Sequence, residues 1–184
     1  MKYFFGFLIA ILLLFLLIFL LVGRGGQSAP AVQRKMSDYA NSSSSVSLTT
    51  MGIINYHKEH RQIRITVEQD NVTYEVISGY GNNVIEIKRF PNTSDAYSTF
   101  LQALGLAGYL KGKDEKALAD YRGYCPLGQT YVYDIEDNGD QVQQLWSTNC
   151  GGTKTYFGNA SLTQSLFQNQ VPNYQTLSQN VQLQ

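Results

Sequence analysis

Apolar side chains follow three different rhythms along this chain. Residues 3–23, YFFGFLIAILLLFLLIFLLVG, form an unbroken run without a charge. Beyond residue 45 apolar positions alternate with polar ones, and beyond residue 93 they recur every three or four residues. An α-helix rises ~1.5 Å per residue, so about 20 apolar residues cross a ~30 Å hydrocarbon layer. Residues 1–23 therefore predict a membrane anchor helix. The run exceeds the apolar core of about 7–15 residues usual in a cleavable signal peptide. Arg24 also precedes the small-residue stretch Ala29-Pro30-Ala31. A long signal peptide cut there is the rival reading. Residues 24–45, RGGQSAPAVQRKMSDYANSSSS, show no period and predict a flexible linker with a reach of ~26 Å.

Alternation then predicts strands. VSLTTMGIIN (46–55) is β-rich without a clear register. QIRITVEQ (62–69) puts Ile63, Ile65 and Val67 on one face, and VTYEVI (72–77) returns with Val72, Tyr74 and Val76. A turn at Asp70-Asn71 sets Val67 opposite Tyr74 and Ile65 opposite Val76, so both apolar sets share a face. VIEIKRF (84–90) is expected to extend that face with Ile85 and Ile87. The period changes at NTSDAYSTFLQALGLAGYLKG, where cap-forming residues and Asp95 announce a helix. Its stripe is Tyr97, Phe100, Leu101, Leu104 and Ala107, and its expected end is near Gly112. ASLTQSLFQNQ predicts a second helix with Leu162, Leu166 and Phe167 together, stopping at Pro172. Residues 176–184 read as a tail. The expectation is an α+β domain over 46–175, an antiparallel sheet with two helices packed on one face.

Between the helices, GYCPLGQTYVYDIEDNGDQVQQLWSTNC contains both cysteines. Asn138-Gly139 is the strongest short signal for a two-residue type I′ turn. A regular register from it pairs Asp137 with Asp140, Ile135 with Val142, Tyr133 with Gln144 and Tyr131 with Trp146. Cys125 and Cys150 then meet at the mouth of this hairpin, close enough for a disulfide. Two cysteines without suitably spaced histidines do not complete a tetrahedral zinc site, and they are not arranged as C-x-x-C. Disulfides persist in oxidising compartments. The clamp therefore predicts a single-pass cell-membrane protein with an extracytoplasmic carboxyl-terminal domain. The distribution of charge leans the other way by a small margin, with Lys2 before the apolar run and Arg24, Arg34 and Lys35 after it.

Charge excludes some functions. Fourteen basic residues balance fourteen acidic ones, so no long-range field draws nucleic acid. The only basic spot is Arg34-Lys35. His57, Glu59 and His60 lack a distant third ligand and read as a solvated loop. DIEDNGD (134–140) resembles a calcium loop, but Leu145 occupies the twelfth position where a bidentate Glu is required. No metal, cofactor or catalytic residue is expected. Four N-x-S/T sequons begin at Asn41, Asn71, Asn92 and Asn159. Thirteen tyrosines against one tryptophan suit sheet faces and contact surfaces equally.

The segments GYCPLGQTYVYDI, LWSTNC, YFGNASL and LFQNQVPNY resemble uncharacterised single-pass anchored proteins of Saccharibacteria-type candidate-phylum bacteria. That resemblance spans roughly residues 60–175 and implies a bacterial cell-surface setting, with no activity to carry over. A second resemblance is to type IV pilins, through an apolar amino-terminal helix, an antiparallel sheet and a carboxyl-proximal disulfide loop. Gly6-Phe7 resembles their processing junction, but Ile11 stands where their acidic residue belongs. The expected function is non-enzymatic: binding, assembly or cell-envelope interaction. Partners would be the bilayer through residues 3–23 and a protein or envelope polymer. An envelope hydrolase acting on wall polymers and a pilin-like filament subunit are the alternatives.

Overall fold

Among the described residues, strand alternation and turn chemistry produce six strands. The computed structural model describes Leu12 and residues 34–41, 43–54, 59–113 and 115–183. The expected anchor thus lies outside the described residues apart from Leu12, and so do linker residues 24–33. Among the described residues no helix is long and apolar enough to cross a membrane. Strands β1 (Ser44–Met51), β2 (Arg61–Val67), β3 (Asn71–Ser78), β4 (Asn83–Pro91), β5 (Thr130–Asp137) and β6 (Asp140–Thr148) form one antiparallel sheet. Its order is β4-β3-β2-β1-β5-β6. The strand with no legible register, β1, is central and joins the meander to the hairpin.

The meander register differs from the expected one by two residues. Val67 faces Val72, Ile65 faces Tyr74 and Ile63 faces Val76. The turn is centred on Gln69-Asp70 and closed by Glu68 N–H donating to the Asn71 carbonyl at 2.9 Å. A two-residue shift leaves every side chain on its own face, because strand side chains repeat with period two. The fourth strand departs further. Ile87 pairs with Glu75, on the face opposite to Tyr74, and the register shifts between Val76 and Ile77. Ile85 and Ile87 are 51% and 43% exposed and do not extend the core. Lys88 and Phe90 stand opposite Tyr74 and Val72 instead.

Asn138 and Gly139 have φ of 55° and 86°, the two left-handed conformations a type I′ turn requires. Asp137 pairs with Asp140 as expected. One step on, a bulge changes the register, so that Ile135 faces Gln143 and Val142 is left out. Tyr133 consequently faces Leu145, and Val132 faces Trp146. The inserted residue sends Leu145 to the core and Trp146 to the other face, which the regular register could not do.

Helix α1 (Ser94–Ala107) is capped by the Thr93 hydroxyl, which accepts from Ala96 N–H at 3.2 Å. Its five stripe residues are all buried as expected. It stops at Gly108, whose φ of 78° breaks the helix short of Gly112. Helix α2 (Ala160–Gln168) buries Thr163 and Phe167, whereas Leu162 is 44% exposed and leaves the expected stripe. Phe100 and Phe167 meet edge-on at 5.1 Å where α1 and α2 pack.

The compact unit runs from Lys35 to Gln184, wider at both ends than expected. Met36–Asn41 is a 3-10 turn that buries Met36 and Tyr39 under α1. At the far end α3 (Tyr174–Gln179) and then Val181 and Leu183 pack against the core. Ile53 N–H donates to the Leu183 carbonyl at 3.1 Å. Apolar residues in both segments were too few to show a period, yet each finds a place once the sheet exists.

Tyrosines fill much of this core. Tyr133 stacks on Tyr156 at 4.0 Å and meets Tyr109 edge-on at 6.0 Å. A buried phenol needs a partner. Tyr109 donates to the Ser47 carbonyl at 2.7 Å, and Tyr97 donates to the Ser44 carbonyl at 3.0 Å. Tyr133 and Tyr156 share hydrogen bonds with Ser147 and Thr163 at 3.0 and 2.7 Å. Burial pushes the Tyr133 phenol up to about 12 and Tyr109 well above the ordinary tyrosine value.

Candidate functional site

Helices α1, α2 and α3 pack on one face of the sheet, and the other face carries the polar half of each alternation. Its floor holds Ser45, Ser47 and Thr49 from β1, Arg64 and Thr66 from β2, Glu75 from β3 and Asp134 and Glu136 from β5. Together with the loops at its rim this face forms a groove of about 630 Å³. Strand pairing sets the rows. Thr66, Ser47, Asp134 and Gln144 cross the sheet in line, and Glu75, Arg64, Thr49 and Val132 make the next row.

Most of the charge in this groove is internally answered. Arg64 Nε donates to Glu75 Oε2 at 2.7 Å across β2 and β3. Asp134 Oδ1 accepts from the Gln144 amide at 2.8 Å and the Gln141 amide at 2.9 Å. Burial pushes the Asp134 carboxyl above the ordinary carboxylate range. The two glutamine amides oppose this, Glu136 adds to the rise and Arg64 draws the carboxyl down. The net shift is upward. Tyr121 overhangs from the connector, and its phenol is pushed up by burial and then by Asp134.

Beside the groove the same face is covered. Residues 115–124, including a 3-10 turn at Lys116–Leu118, lie over Trp146. The indole Nε1 donates to the Leu118 carbonyl at 2.6 Å, and Tyr124 lies 4.8 Å from the ring. Arg122, at the groove rim, forks onto Asp120 at 2.7 and 2.6 Å and holds that exposed carboxyl at about 2. The Cys125–Cys150 disulfide closes this end, with Cα atoms 5.9 Å apart. Gly128 passes directly beneath it, and a Cβ there would stand 2.5 Å from Cys125 Sγ and 2.8 Å from Cys150 Sγ. Only a bare backbone fits.

The other sequence candidates fall elsewhere. His57 lies outside the described residues. His60 is not in a solvated loop: it is 9% exposed, stacked on Tyr80 at 4.4 Å, and part of the groove wall. Glu59 pairs with Arg61 at 2.8 Å and accepts from the Ser78 hydroxyl. In DIEDNGD, Asp134 and Glu136 line the groove while Asn138 and Gly139 make the turn. Among the described residues no three His, Cys, Asp or Glu stand close enough to hold a metal ion. Asn159 caps α2, and the Asn92 amide donates to the Glu68 carbonyl at 2.7 Å, so these sequon positions serve the backbone.

Sequence reasoning missed the groove itself. The signal was present as the polar members of each alternation, Arg64, Glu75, Thr49 and Asp134. Their convergence required β1 to bridge the two halves of the sheet. No protein-family model, curated protein or solved structure matches this chain.

Proposed function

We propose that Lys35–Gln184 is a non-enzymatic binding module, displayed outside the cytoplasm by the apolar amino-terminal segment, that takes an uncharged polyhydroxylated ligand such as a stretch of envelope glycan. The observation that carries this reading is the open sheet face, a groove floored by Ser, Thr, Gln and paired charges. Planar amides and carboxylates with spare lone pairs suit vicinal hydroxyls. Tyr80 and Tyr121 at the rim offer faces for the apolar side of a sugar ring, with His60 stacked behind Tyr80. An anion is not favoured, since Arg64 is already neutralised by Glu75 and the floor adds the carboxyls of Asp134 and Glu136. The disulfide supports the extracytoplasmic assignment, because such bonds persist under oxidising conditions.

The test is titration calorimetry of the full chain in mild detergent with short β-linked N-acetylhexosamine oligosaccharides. Binding is expected, weakened at least about tenfold by Gln144→Ala, which removes one donor to a hydroxylated ligand and frees Asp134. No heat from any neutral glycan would sink the reading. Release of shortened glycans, abolished by Asp134→Asn, would establish the hydrolase alternative. That alternative draws on the raised carboxyl of Asp134 two residues from Glu136 on the same strand face. Binding is preferred because the Asp134 and Glu75 carboxylates already hold protein donors.

A further inference from the structure

The two edges of the sheet are finished differently. Along β6 the edge is closed at Trp146: its carbonyl accepts from Thr155 and Tyr156 N–H at 3.0 and 2.9 Å, and its N–H donates to Thr155 Oγ1 at 2.8 Å. Along β4 no described element pairs with the outer edge, for this strand has β3 as its only neighbour. Val84, Ile85 and Ile87 are exposed there on a nine-residue strand. Open edges of this kind invite another strand, and proteins commonly guard them with charge.

From this edge we infer that two copies of the chain pair β4 against β4, antiparallel about a two-fold axis at Ile87, continuing the sheet from one molecule into the next. Parity comes first. A two-fold perpendicular to a sheet preserves faces, and neighbouring strand residues point to opposite faces, so the axis must fall on a residue and not between two. Charge then selects the residue. Centring on Glu86 or on Lys88 sets like charges directly opposite each other, which is destabilising. Centring on Ile87 sets Glu86 opposite the second copy's Lys88 and Lys88 opposite its Glu86. Each strand already joins these two residues at 3.2 Å, so pairing completes a square of alternating charges. The same register places Ile87 against Ile87, between the two Glu86–Lys88 pairs, on the regular part of the strand before the irregularity at Ile85. Any other strand would need Lys and Glu at the same two-residue spacing to answer Glu86 and Lys88. The edge guard of this protein is answered by its own sequence.

The native cysteines are joined to each other, so a single introduced thiol reports the register. Ile87→Cys in the full chain, oxidised mildly in detergent, is expected to give a linked dimer several-fold above two controls. Ile85→Cys lies off the axis, away from its own copy, and Val142→Cys sits on the far edge with similar exposure. These controls also discount any approach of chains through the amino-terminal segment. Adding Glu86→Lys to Ile87→Cys should lower the dimer yield roughly tenfold, through two new like-charge pairs. Adding Lys88→Glu as well should restore it. Equal yields from all three thiols, or no restoration by the double reversal, would overturn the pairing.

Discussion

The two faces of this sheet are made from the same strands and have opposite characters. On the helix side Val46, Leu48, Ile63, Ile65, Tyr74 and Ile135 are buried in one core with residues of α1 and α2. On the other side their immediate neighbours Ser45, Ser47, Arg64, Glu75 and Asp134 line a groove. Alternation alone separates them, and the difference concerns what each side chain is for. Helix-side residues lose contact with water on folding and so carry stability. Groove residues keep solvent or exchange it for a ligand, so their identity is free to serve recognition. The covered corner around Trp146 is the exception, where the connector and the disulfide extend burial onto the groove face.

That contrast can be broken most severely from the helix side. Phe167→Ala should cost about 3–5 kcal/mol, because the ring is fully buried between Phe100 and Tyr109. Urea titration followed by circular dichroism measures it. Next comes the joint substitution Cys125→Ser with Cys150→Ser. Freeing a loop of sequence separation 25 should cost ~3.5 kcal/mol in the chain-entropy treatment. A red shift of Trp146 fluorescence at low urea would show that the covered corner opens before the helix side. A loss no larger than that of an exposed double substitution would mean the clamp does not support this corner. Tyr133→Phe should cost about 1 kcal/mol by leaving the Ser147 hydroxyl without its partner.

The smallest effect should come from the groove, with a sign that distinguishes the faces. Burial raises the Asp134 carboxyl in the folded state. The folded protein therefore binds more protons than the unfolded chain across the window between the ordinary carboxylate value and the raised one. Stability contributed by this group is present below that window and is lost as pH rises through it. Asp134→Asn should accordingly raise the melting temperature at neutral pH, with the gain vanishing in acid. Its Oδ1 can still accept from Gln141 and Gln144. A melting temperature lowered equally at both pH values would instead make Asp134 a structural residue like those on the helix side.

Local patterns in the chain were enough to specify the α+β class, the α1 stripe, the Asn138-Gly139 turn and the pairing of the two cysteines. Each rests on interactions within one element or across one tight turn, where residue spacing sets geometry directly. Register was legible only as far as its parity between β2 and β3, because a two-residue slip leaves the same face buried. Only tertiary structure decided the rest. The bulge at Val142 reflects the demand of the core for Leu145, which no hairpin rule contains. The central place of β1 depends on pairing with β2 and β5 at once. Exposure of Ile85 and Ile87 follows from the pairing of β4 with β3, which sets Glu86, Lys88 and Phe90 opposite the core residues instead, and the groove exists because distant strands set their polar positions side by side. Long-range pairing is a property of the assembled sheet, so no window of sequence holds it.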